Sequence, residues 1–298
     1  MSSFLVTGGA SFIGRHLTEA LVRANHEVTL VVRNASPGRR SWSQNLGVAM
    51  EEIDLSTRDS LKRMPPHEFV VHAAARSIVG QAGGASLVRD NVQASRYVAN
   101  WAKQSRATAL VGLSSMSVFG RPTGGLVNEL TVSQNPSRYG ISKLLGERAL
   151  LEVEDSCLVT ILRLPGVVGI GAHRIWLSRL LSSVLEDEPI TVLNASDQFN
   201  NVVHVSDLCS LIAESPQRGS DAAGTFVLGA REPVPVRKVV ETVVDVAESG
   251  SRIHEGHGGP PAFVIDDSRA RRCLGYESLT TLSAISRYVR EIVKLRDQ

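Results

Sequence analysis

The chain has 298 residues, with 32 basic against 30 acidic side chains for a net charge of +2, and 43% of its residues are hydrophobic. That balance excludes a disordered chain, which needs low hydrophobicity and high net charge, and a nucleic-acid binder working by bulk charge. The length allows one large domain or two of ordinary size.

The N-terminal residues have no basic segment followed by an apolar one, and the longest uncharged stretch, 107–120, is too short to span a bilayer. The expectation is a cytoplasmic protein that binds neither membrane nor nucleic acid. The three cysteines, Cys157, Cys209 and Cys273, are far apart with no C-x-x-C spacing, so they predict inert thiols and no metal site.

In chain order, the apolar run 4–7 predicts a strand that ends in glycines. Ile13, Leu17, Ala20, Leu21 and Ala24 share one face of a helix. A β-branched run follows at 28–32. Further strands are predicted at 48–53, 69–73, 109–113 and 158–163, with helices at 91–103 and 139–153. Continuous apolar strands alternating with helices predict an α/β fold with a doubly wound parallel sheet. Past Arg163 glycine and proline become frequent. Helices are predicted at 176–185, 236–248 and 282–295, and 202–205 and 226–228 read as strands returning to the main sheet. The organisation expected is a dinucleotide-binding domain over 1–165, rejoined by segments near 199–228, and a smaller, interleaved substrate domain over 166–298.

The turn after the first strand is TGGASFIG, 7–14. A strand, a glycine-rich turn and a helix N-terminus together form a cradle for a pyrophosphate. Gly8, Ser11, Phe12, Ile13 and Gly14 are its candidate residues; Ser11 stands where such turns usually carry a glycine. The second strand ends at Val32 and Arg33 with no carboxylate for a ribose 2′-hydroxyl. Arg33, near Arg39 and Arg40, offers a cation for a 2′-phosphate, so NADP(H) is expected ahead of NAD(H). Asp54, with Leu55 beside it, follows the third strand, as an adenine contact or as a turn residue.

Tyr139 and Lys143 form Y-x-x-x-K, which puts phenol and ammonium on one helix face, where the cation favours the phenolate. Upstream, SSMSVFG (114–120) closes a predicted strand, where a serine can hydrogen-bond a substrate oxygen.

TGGASFIG, HAAA (72–75), DNVQAS around Asn91, SSMSVFG, YGISK and LRLPGVVG (162–169) occur in this order. Together with NNVVHVSD (200–207) and DDSRARRCLGYE (266–277), they resemble the extended short-chain dehydrogenase/reductase family, in its sugar-nucleotide epimerase/dehydratase group, with a Rossmann-type fold. The resemblance implies Tyr139 as general acid/base, Lys143 as its partner and ribose ligand, and Ser115 as the substrate-orienting serine. It implies Ala73, Ala74 and Ala75 along the cofactor, Pro165 over the nicotinamide, and Asn91 supporting the active-site helix or a water relay. For substrate it implies Ser115, Met116, Ser117, His173, Arg174 and Asn201. Asn200 and Asn201 stand where the family commonly has an arginine followed by Asp or Asn.

Dehydratases of the group carry an Asp-Glu pair where this chain has Met116 and Ser117, so elimination lacks its acid and base. Arg33 and the short C-terminal region favour an NADP(H)-dependent reductase of a nucleotide-linked 4-keto-6-deoxysugar. The alternative is a nucleotide-sugar 4-epimerase with NAD, and the remote one is a non-catalytic NADP-binding regulator, which would usually lack Tyr139 and Lys143. Leu144 and Leu145 on the active-site helix suggest a homodimer.

Overall fold

A computed structural model of the chain describes residues 1–77, 84–122, 125–256, 258–259 and 261–297. The sequence pattern becomes strands β1 (Ser3–Thr7), β2 (Glu27–Val32), β3 (Ala49–Glu52), β4 (Phe69–His72), β5 (Ala109–Ser115), β6 (Leu158–Leu164) and β7 (Gly224–Val227). They form one seven-stranded sheet in the order β7-β6-β5-β4-β1-β2-β3. The pairings of β1 with β2 and with β4 are parallel, and Thr7 stands opposite both Val31 and His72. Phe4, Leu5 and Val6 are all fully buried, as expected of a strand covered on both faces.

Three helices position the functional residues: α1 (Phe12–Arg23), α2 (Ala94–Gln104) and α3 (Arg138–Leu151). Val98, Ala102 and Leu150 pack from α2 and α3 against Leu5, Val70, Leu110 and Ile161 of the sheet. At about 25 cal/mol per Å² of apolar surface removed from water, such a core dominates the stabilisation of the sheet. The strand order reverses beside β1, and in an open parallel sheet ligands bind at the strand ends of such a reversal.

The chain divides into two compact units. One comprises 1–120, 133–163 and 209–226, and the other 121–132, 164–208 and 227–298. In the second, Trp176–Leu185, Val236–Val246 and Thr281–Arg296 are helices around a core that includes Leu181, Val184, Val240 and Ile285.

The structure departs from the sequence reading in two places that matter. Of the two strands expected to return to the main sheet, only Gly224–Val227 does. Val202–His204 instead pairs in parallel with Gly166–Val168 inside the second unit. There Asn200 donates to the carbonyls of Ala230 and Ile265, at 3.1 and 2.9 Å, and accepts from the Ile265 amide. The helix expected from residue 91 is instead preceded by a helical turn, Gly84–Leu87, and a π-helical segment, Val88–Gln93, that runs into α2. Wider turns of this kind are often found at functional sites.

Candidate active site

A cleft of about 310 Å³ opens at the carboxyl ends of β1, β2 and β4 and includes Gly8, Ala10, Ser11, Arg33, Ala73 and Arg76 in its wall. Val31, Val32, Arg39, Ile53, Leu55, Ala74, Ala75, Asp90 and Ala94 complete it. Ser11 takes the place of the expected glycine without breaking the turn: it is the N-cap of α1, and its hydroxyl accepts the Gly14 amide at 3.1 Å. The first-turn amides of Phe12 and Ile13 have no carbonyl within the helix to receive them, so they remain donors for an anion at the helix N-terminus. A Cβ on Gly14 would lie 2.3 Å from the Gly8 carbonyl oxygen, so only glycine lets α1 start this close to β1. This cradle fits a dinucleotide.

The arginines of the cleft are gathered by one carboxylate. The Asp90 side chain is 1% exposed and pairs with Arg76, with Arg89 at 2.9 Å and with Arg33 at 3.3 Å. Burial works to raise its pKa, but hydrogen bonds from Arg89 and Arg76 outweigh that and hold the carboxyl below its ordinary value. Asp54 folds back on itself instead, accepting the Ser56 amide and hydroxyl at 3.0 and 2.7 Å; it stands 3.9 Å from Arg33. Neither Arg76 nor Asp90 stood out in the sequence. Their only signal was position, directly after the HAAA strand end and directly before Asn91.

The catalytic candidates lie together in the same unit. Ser137 caps α3 by accepting the Gly140 amide. A Cβ on Gly140 would sit 2.1 Å from the Ser117 carbonyl, so the glycine lets the start of α3 press against the segment after β5. Ser115 there caps a short 3-10 turn (Met116–Phe119) through the Ser117 amide and is a hydrogen-bond partner of the Tyr139 phenol. Met116 is buried, and Ser117 shares a hydrogen bond with Ser115.

Lys143 is anchored to the backbone of β5. Its ammonium is buried and donates to the Leu113 carbonyl at 2.6 Å. Burial raises the Tyr139 phenol above its ordinary value, against a lowering by Ser115. Burial also pushes Lys143 down to about 8, opposed by Glu147 one turn along α3. Glu147 is itself buried, accepting from Ser114 and from both arms of Arg163. Behind them, His72 lies between the Thr7 and Ser95 hydroxyls at 2.8 and 3.1 Å.

Asn91 ties these parts together. Its amide brackets the Arg76 backbone, accepting the N–H at 2.7 Å and donating to the carbonyl at 3.1 Å, and it also donates to Ser142 on α3. The remaining candidates belong to the second unit. His173 and Arg174 are exposed, with His173 held by the Gly171 carbonyl at 3.0 Å. Pro165 is partly buried. The Asn201 side-chain oxygen is buried without a partner. Asp207 is within the first turn of Val205–Ala213 and accepts the Leu279 amide at 2.8 Å.

Residues 4–229 match the model of the NAD dependent epimerase/dehydratase family. The chain belongs to this family. It is therefore an NAD(P)-dependent enzyme of the short-chain dehydrogenase/reductase type. It is 26% identical to a Bacillus subtilis protein described as an uncharacterized UDP-glucose epimerase, over 93% of each chain. It is 25% identical to the UDP-glucose 4-epimerase of Corynebacterium glutamicum, over 91% of this chain and 89% of that one. The fold is shared with the Bordetella bronchiseptica enzyme WbmG in complex with NAD and UDP, at a TM-score of 0.85 and 22% identity over 98% and 95% of the two chains. No helix among the described residues is long and apolar enough to cross a membrane.

Proposed function

We propose that the protein is a nucleotide-sugar 4-epimerase that oxidises a ring hydroxyl and then reduces the ketone from its other face. The observation that carries the reading is the contact of the Tyr139 phenol with Ser115 at the end of β5, beside Met116 and Ser117. Met116 and Ser117 there supply no carboxylate to act as the acid or base of an elimination. The names of relatives across nearly the full chain support epimerisation ahead of the reductase that the sequence favoured.

A bound nicotinamide dinucleotide supplies the hydride acceptor and donor. Gly8, Ser11 and the N-terminus of α1 hold its pyrophosphate, and Ala73, Ala74 and Ala75 line its path. Ser115 orients the reacting oxygen, and Tyr139 takes its proton on oxidation and returns it on reduction. Lys143, fixed by Leu113, holds the ribose on the nicotinamide side. The exposed Ile141 and Leu145 of α3 support a homodimer, and the chemistry suits the cytoplasm, where nucleotide sugars are made.

A second reading, an NADPH-dependent reductase of a nucleotide-linked 4-ketosugar, is favoured by Arg33 and Arg39 in the cleft wall. The test incubates purified protein with UDP-glucose and related nucleotide sugars and follows the products by NMR, with NADPH oxidation by nucleotide 4-ketosugars as the second arm. The wild type forms the 4-epimer, and Tyr139→Phe loses about a hundredfold or more in rate. NADPH oxidation without epimer formation moves the assignment to the reductase. Equal inertness of wild type and variant in both arms rejects the enzymatic reading.

A further inference from the structure

The arginines around Asp90 have no part in proton transfer, yet their arrangement is specific. Arg33 comes from the end of β2 and Arg76 from the segment after β4, and both guanidinium groups reach the same oxygen, Asp90 Oδ2. Two cations therefore stand side by side in the cleft wall, where mutual repulsion would separate them without the buried carboxylate between them. The backbone of Arg76 is fixed as well, because Asn91 brackets its N–H and carbonyl. The π-helical turn puts Asp90 and Asn91 side by side in the chain and both in contact with Arg76. Arg39 lines the same cleft, with its guanidinium held by the Asn34 carbonyl at 2.7 Å.

The charges facing this wall do not cancel. Arg33, Arg39 and Arg76 line the cleft against Asp90, while Arg40 is paired with Glu52 at 3.4 Å. The excess in the lining is two positive charges, 3 − 1. Arg33 at the β2 end marks the adenosine-ribose end of a dinucleotide cleft. Arg76 is at that same end because it shares an oxygen with Arg33.

We propose that Arg76 and Arg33, set in place by Asp90, form a binding site for the ribose 2′-phosphate of NADP(H), so that Arg76 is a specificity-determining residue for the cofactor. Each guanidinium keeps N–H donors beyond those used on Asp90, and planar guanidinium pairs suit a phosphate dianion. The inference rests on the cleft being a dinucleotide site and holds for either reaction above.

The test is calorimetric binding of 2′,5′-ADP and 5′-AMP to the intact protein, two ligands that differ only by the 2′-phosphate. Wild type is expected to bind 2′,5′-ADP at least tenfold more tightly. Arg76→Ala is expected to lose about tenfold or more on 2′,5′-ADP and less than twofold on 5′-AMP. Arg76→Gln provides the same comparison if the alanine variant melts early. Equal loss on both ligands, or no loss, overturns the role of Arg76. Equal affinity of wild type for the two ligands overturns the 2′-phosphate site and leaves the dinucleotide cleft standing. Binding of neither ligand rejects the cleft reading itself.

Discussion

Asn91 on the π-helical turn donates to the Ser142 hydroxyl on α3, 2.9 Å away, one residue before Lys143. With the two bonds to Arg76, one buried amide joins the arginine wall of the cleft to the helix of the proton-transfer residues. Structural support and placement of the site therefore pass through the same side chain.

Replacing Asn91 by alanine leaves the Arg76 backbone and Ser142 without these partners. Buried polar groups left unpaired cost about 1–3 kcal/mol each, so Asn91→Ala is expected to lose about 3 kcal/mol of stability in urea denaturation. Cofactor affinity should fall with it, because Arg76 is no longer held. A loss under about 0.5 kcal/mol would show that the amide is replaced easily by water and is not a structural link.

His72 makes a prediction about acid. Burial between Thr7 and Ser95, with Lys143 adding to it, pushes its pKa from 6.5 to about 3. Between those values the unfolded chain binds a proton that the folded chain does not. Stability from this group is therefore complete above about pH 6.5 and is lost as pH falls toward 3, by up to about 1.4 kcal/mol per pH unit. His67 and His204 are also lowered by burial and act in the same direction. Unfolding free energies at pH 7 and pH 5 should differ in this sense, and His72→Asn should shrink the difference. An unchanged difference would place the acid sensitivity elsewhere.

The doubly wound sheet was legible in the sequence because its strands are apolar, β-branched runs such as 28–32 and 109–113, separated by helical spacing. The placement of Tyr139 and Lys143 on one helix and of Ser115 at the end of β5 was legible because each motif lies beside a predicted element. The helix Pro37–Asn45 gave no such signal: its only buried residue is Ser43, so it has no apolar stripe to read. Asp90 and Arg76 were hidden for a related reason. A charged residue buried by ion pairing looks like a surface residue until its partners, distant in sequence, are placed. The pairing of Leu126–Val127 with Val264–Ile265 is too short for any periodicity to show.

Lys143 is expected to set the alkaline limit of activity. Its pKa is pushed down to about 8 by burial, against the opposing charge of Glu147. The ammonium, present below that value, is discharged as pH rises through it. Lys143 would then lose its charge while Tyr139, raised above its ordinary value by burial, still holds its proton. Activity is expected to fall across about pH 7 to 9, a full unit or more below the range in which an ordinary lysine titrates. Lys143→Arg keeps the cation at every accessible pH but cannot reproduce the compact bond to the Leu113 carbonyl. The variant should therefore be slower by about tenfold or more, with the alkaline limb displaced beyond pH 9. A pH–rate profile of wild type and variant decides the matter: the same limb in both would assign the titration to a group other than Lys143.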